Sequence, residues 1–154
     1  MAEIDIQWGV NRGALLPSDT QLRHWIETAL RGQPADSQVS VRIVDVDEIA
    51  DLNLRFRHQN KPTNVLSFPF VQGPGPTIPL LGDIIICADV VADEAVAQRK
   101  SLEAHWAHML VHGTLHLLGY DHMEDEDAVT METIESRILT GLGYAAPYQE
   151  IETS

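Results

Sequence analysis

The chain has 154 residues, 44% apolar and 21% charged, a balance that suits one globular domain over 1–154 and excludes a disordered polypeptide. Its 23 acidic and 10 basic residues leave a formal net charge of −13, which excludes non-specific nucleic-acid binding through a broad basic surface. No apolar run approaches the ~18 residues needed to span a bilayer, and the single cysteine, Cys87, cannot close an internal disulfide, so a reducing cytoplasm is the expected setting.

In chain order, EIDIQW alternates in the manner of a strand, and the MAEIDIQWGV around it has neither the basic start nor the continuous apolar stretch of a signal peptide. SDTQLRHWIETALRG reads as a helix, with Ser18 as N-cap, Leu22, Trp25, Ile26, Ala29 and Leu30 at helical spacing, and Gly32 as a stop. QVSVRIVDV is a second strand by its Val and Ile content, and DVDEIADLNLRF is a helix carrying Ile49, Leu52 and Phe56. After the polar break RHQNKPT comes a third strand, NVLSFPF. VQGPGPTIPLLG, with three Gly and three Pro, is a loop or hairpin connection to a fourth strand, GDIIICAD, in which Cys87 acts as a small buried hydrophobe. A helix from about Val90 to Arg99 follows, then one over 102–118. MEDEDAVTMETIESRILTGLGY is a last amphipathic helix, with Met131, Ile134, Ile138 and Leu142 on one side and its acidic start at the positive end of the helix dipole. The irregular interleaving predicts an α+β fold with a small mixed four-stranded sheet and about five helices.

HGTLHLLGYDH, residues 112–122, holds three of the chain's seven histidines. His112 and His116 are four apart on a predicted helix and so share a face, with Cβ atoms roughly 5–6 Å apart. Gly119 frees the chain to leave the helix, and the turn through Tyr120 and Asp121 can return His122 to the same point. Three neutral imidazoles make a borderline ligand set that suits zinc and leaves a fourth position for water, which places a zinc site at a helix end and the following turn. His24 reads as an ordinary helix residue. His105 and His108 lie on nearly the stripe of His112, as a fourth ligand or as partners of the ligands. Metzincin proteases share the H-x-x-x-H-x-x-G-x-x-H spacing but place a glutamate general base after the first histidine, where this chain has Gly113. Peptide hydrolysis is therefore the weaker reading.

With these residues in view, the sequence resembles the YbeY family of bacterial endoribonucleases, the rRNA maturation factors. HGTLHLLGYDH carries the resemblance together with LNLRFRHQNKPTNVLSFPF (52–70) and LGDIIIC (81–87), in that order along nearly the whole chain. The resemblance implies a small α+β fold with one Zn2+ per chain on His112, His116 and His122, and a functionally important arginine at Arg57. It also implies cleavage of single-stranded rRNA in 16S 3′-end maturation and ribosome quality control, with the small ribosomal subunit and its proteins as partners, no DNA substrate and no membrane. Arg57 belongs to LRFRHQNK, the one acid-free cationic stretch, where Arg55, Arg57, His58 and Lys61 fall together. A guanidinium there can meet charge growing on a phosphate. Thr63, Asn64 and Ser67 can support the substrate or simply hold the strand, and Asp121 can brace a ligand histidine or cap the turn. The general base stays open among the ion's own water, His58, His108 and the RNA 2′-hydroxyl. Two alternatives stand beside this reading: a zinc metallopeptidase, and a non-catalytic ribosome assembly factor with a structural zinc.

Overall fold

The computed structural model describes residues 2–10, 16–76, 78–120 and 125–147, with side chains in the last stretch from 128 onward. Its elements are β1 (Glu3–Trp8), α1 (Asp19–Ala29), β2 (Gln38–Val44), α2 (Val46–Arg57), β3 (Val65–Pro69), β4 (Leu80–Cys87), α3 (Ala88–Ala97), α4 (Leu102–Leu117) and α5 (Asp125–Gly141). The strands form one sheet in the order β1-β2-β4-β3. β1 and β4 run parallel to β2, whereas β3 returns antiparallel to β4 through the Gly/Pro-rich connection. The expected α+β class, mixed four-stranded sheet and five helices are all present.

Sequence pattern explains how the layers stack. In β4 the run Ile84-Ile85-Ile86-Cys87 is apolar at every position because both faces of this inner strand are covered. Ile84 and Ile86 join the larger core with Leu22, Trp25 and Ile26 of α1, Trp106 and Leu110 of α4, and Met131 and Leu139 of α5. Ile85 and Cys87 face the smaller core, where Val44 and Leu66 meet Ile49 of α2. Cys87 is thus the buried small hydrophobe its context suggested, and burial pushes its thiol pKa up.

α4 is the central helix, touching α1, α3, α5, β3 and β4, which accounts for its nearly all-round apolar sequence. Gly113 allows that approach: a Cβ there would stand 3.2 Å from both Ile84 Cγ2 and Ser67 Oγ. Gly82 serves similarly in β4, at φ +144, where an added Cβ would fall 2.3 Å from the Phe68 carbonyl oxygen.

Helix ends follow the sequence signals. Ser18 and Gln21 form a reciprocal capping box on α1, and Gly32 and Gly119 take positive φ beyond α1 and α4. Two expectations shift. α3 begins at Ala88, two positions before Val90, because Cys87 ends the strand and is itself the N-cap. Phe56 shares a stripe with Ile49 and Leu52 but is 57% exposed, packing edge-on against Phe68 at 5.3 Å between ring centroids. The buried position on that turn is held by Asn53, whose amide donates to the Lys61 carbonyl at 2.9 Å and so folds back the loop after α2. Among the described residues no helix is long and apolar enough to cross a membrane.

Candidate active site

A cleft of about 710 Å³ opens between β3, the end of α2 and the C-terminal turns of α4. Its lining brings together Arg57, Thr63, Asn64, Ser67, His112, His116 and Tyr120, which lie up to 63 positions apart in sequence. His112 and His116 project from successive turns of α4, with ring centroids 4.7 Å apart and planes at 77°. Their Nε2 atoms converge to 3.2 Å. His122, the third expected ligand, and Asp121 beside it lie outside the described residues, and among those described no group of three His, Cys, Asp or Glu side chains is disposed to hold an ion.

Behind the histidines sits a residue that the sequence pattern did not single out. Glu135 of α5 has no exposed surface, and its two carboxylate oxygens take bonds from different imidazoles. His112 Nδ1–H donates to Oε1, and His108 Nε2–H donates to Oε2 at 3.1 Å. An ionised carboxylate only accepts, so the bond from Nδ1 leaves the lone pair of His112 on Nε2, facing His116 across the cleft wall. His108 Nδ1 in turn accepts from Lys100 Nζ at 3.3 Å. One signal for Glu135 was available: it lies four residues from Met131 and four from Leu139, an acid in the middle of the buried stripe of α5.

A second, partly buried link runs from α4 to the cleft wall. His105, 1% exposed, is hydrogen-bonded through Nε2 to Glu94 at 2.9 Å, and Glu94 also accepts from the Asn64 amide at 3.1 and 3.2 Å. Asn64 Oδ1 accepts from the Val65 backbone at 2.6 Å, so both ends of this amide are committed. Burial holds the His105 pKa below the ordinary imidazole value, only partly countered by the bond to Glu94. His105 therefore faces Glu94 and not the ligand pair. His108 reaches His112 through the shared carboxylate and through an edge-to-face ring contact, with centroids 6.3 Å apart.

Arg57 is the last residue of α2, and His58 at φ 59 caps the helix in the left-handed conformation with its N–H on Leu54. The turn lays the guanidinium along the free edge of β3, where Nη2 donates to the Ser67 carbonyl at 2.8 Å and the group sits 5.1 Å from the Phe68 ring centroid. Ser67 Oγ donates to the Gly113 carbonyl at 3.0 Å, tying β3 to α4. Of the candidate bases, neither His58 nor His108 lines the cleft.

Residues 13–143 match the family model described as Endoribonuclease YbeY. The chain is also similar to a solved structure, the solution structure of TM1509 from Thermotoga maritima. That likeness has a TM-score of 0.63 at 29% identity and covers 99% of this chain and 93% of the other.

Proposed function

Because the chain belongs to the YbeY endoribonuclease family, we propose that it is a zinc-dependent, single-strand-specific endoribonuclease of 16S rRNA 3′-end maturation and ribosome quality control. It acts as one domain in the cytoplasm. One Zn2+ per chain is held by His112, His116 and His122, and Arg57 is the catalytic arginine. The observation that carries the metal reading is the 3.2 Å between His112 and His116 Nε2. Two bonds of 2.0–2.1 Å at a tetrahedral angle put ligand nitrogens about 3.3 Å apart. The bond from His112 Nδ1 to Glu135 supports it further, because a carboxylate behind a histidine fixes the tautomer that presents Nε2 to a cation.

When bound, zinc supplies a Lewis acid that polarises a phosphoryl oxygen and makes water reactive near neutral pH. The chain's own groups do the rest. Arg57 lines the same cleft as the histidines, held by Ser67 and Phe68, and its remaining N–H groups meet the negative charge that builds on the nonbridging oxygens as the phosphodiester is cleaved. Thr63 offers its hydroxyl from the same wall, whereas the Asn64 and Ser67 side chains keep that wall in place. The net charge of −13 gives little general affinity for RNA, so the small subunit and its proteins present the strand to the cleft. Gly113 weighs against the peptidase reading, since it leaves out the protease glutamate and a Cβ at that position would press on Ile84, Ser67 and Val65 at 3.2–3.4 Å.

The test combines a zinc count, a melting curve and a cleavage rate on single-stranded rRNA fragments, with a peptide library in parallel. The expected result is about one zinc per chain, mostly lost in His116→Ala. Arg57→Ala should keep zinc and fold while cleaving RNA about 100-fold more slowly, and Arg57→Lys should recover only part of the rate because it lacks the two-pronged geometry. Wild-type cleavage by Arg57→Ala refutes the role of the arginine. Zinc-dependent peptide cleavage without RNA cleavage refutes the proposed function.

A further inference from the structure

A second hollow, of about 540 Å³, lies between α1, the end of α4 and α5. Tyr120 belongs to both its lining and that of the cleft, so the two hollows meet at this ring, which is 37% exposed. The floor of the second is apolar, built from Leu115, Leu118, Ile134 and Ile138, and its rim carries Arg31 and Arg137. No acidic side chain among the described residues lines it.

That charge pattern runs against the rest of the molecule. Acids outnumber bases by 23 to 10, and Arg23, Arg42 and Arg55 are each paired with a carboxylate. Among the described residues, the arginines without an acidic partner are Arg31, Arg57, Arg99 and Arg137, and three of these four line the two adjoining hollows. The apolar floor is equally out of place for a core stripe. Ile134 and Ile138 lie on the inward side of α5 yet stay only partly buried, because nothing described covers them.

We propose that this second hollow is a binding subsite for the RNA strand where it leaves the cleft past Tyr120. Arg31 and Arg137 hold its phosphates, and the apolar floor receives an unpaired base. Base faces are apolar and exposed only when the strand is single, so the subsite adds affinity that a duplex cannot collect. It also places Arg31 and Arg137 beside the cleft that holds Arg57, giving an acidic protein the local phosphate contacts such binding requires. The inference rests on the endoribonuclease reading and deepens it.

The experiment compares the zinc-loaded wild type with the double variants Arg31→Ala/Arg137→Ala and Arg31→Lys/Arg137→Lys. Cleavage is followed on a trinucleotide that fills only the cleft and on a single strand of roughly 12 nucleotides. Affinity and its salt dependence are read on a 2′-O-methyl oligonucleotide of the longer length, checked to remain intact. The alanine pair should raise KM and Kd for the long strand roughly 10-fold and flatten the plot of log K against log salt by about 1.4, or about 0.7 per phosphate lost. kcat and trinucleotide cleavage should be unchanged. The lysine pair should keep the wild-type slope, which separates lost charge from lost fold. Wild-type Kd and slope in the alanine pair overturn the subsite. So does an alanine pair that keeps its RNA constants but loses binding to an Asp/Glu-rich peptide, since the hollow then serves a protein. If the wild type cuts neither RNA, the endoribonuclease reading fails, and the 2′-O-methyl affinities still decide whether the hollow binds a nucleic-acid strand.

Discussion

A carboxylate with no exposed surface needs donors on both oxygens, and at Glu135 His112 and His108 supply them. Glu135→Gln keeps the volume but brings an amide N–H against an imidazole N–H and removes the charge that fixes the His112 tautomer. Zinc affinity, measured by chelator competition, should fall 10–100-fold while the melting temperature changes modestly. Glu135→Ala should also lower stability, by about 1–3 kcal/mol for each imidazole left without its acceptor. Unchanged zinc affinity in both variants removes Glu135 from the site. The histidine pair was legible because i, i+4 spacing fixes a shared face whatever the helix packs against. Glu135 was not, because only the packing of α5 on α4 brings it behind His112.

At the scale of elements, the packing of α4 against β3 and β4 sets the width of the cleft, and Gly113 permits it. A glutamate at 113 restores the protease-like spacing only on paper, since its Cβ already meets Ile84 and Ser67 at 3.2 Å. Burying that carboxylate against Ile84 and Val65 should cost about 3 kcal/mol or more, seen as a large fall in melting temperature without any gain of peptidase activity. A stable, peptide-cleaving Gly113→Glu would contradict this account of the helix–sheet contact. The cap of α1 is a milder case: Ser18→Ala removes one half of a capping box and should lower stability by about 1 kcal/mol in denaturant titration.

For the whole molecule, acid should be destabilising from a definite starting point. His105 is buried beside Glu94, its Nδ1 has no partner, and its folded pKa lies below the ordinary value. As pH falls through the unfolded value of about 6.5, the unfolded chain binds a proton that the folded chain resists. The stability contributed by neutral His105 is therefore full above that pH and declines below it, toward the depressed folded pKa. His105→Gln cannot titrate, so its melting temperature should fall less steeply than that of the wild type between about pH 7 and about pH 5.5. Parallel curves would mean that His105 charges as easily folded as unfolded.

Local pattern alone determined a good deal here. Strand alternation, the apolar stripe of α1 and its Ser18–Gln21 cap depend on neighbours within a turn or two, as do the stop glycines and the facing pair His112 and His116. Each is fixed by backbone geometry before any tertiary contact forms. The order β1-β2-β4-β3 was not readable in this way, because strand pairing depends on which hydrophobic faces find each other across the chain. Nor was the exposure of Phe56, which turned on Asn53 taking the inward position to bind Lys61. The links of Glu135 to His112 and of Glu94 to Asn64, and the meeting of two hollows at Tyr120, join residues between 23 and 96 positions apart. No spacing rule reaches that far; only the packing of α4 among α1, α3, α5 and the sheet brings those groups within bonding distance.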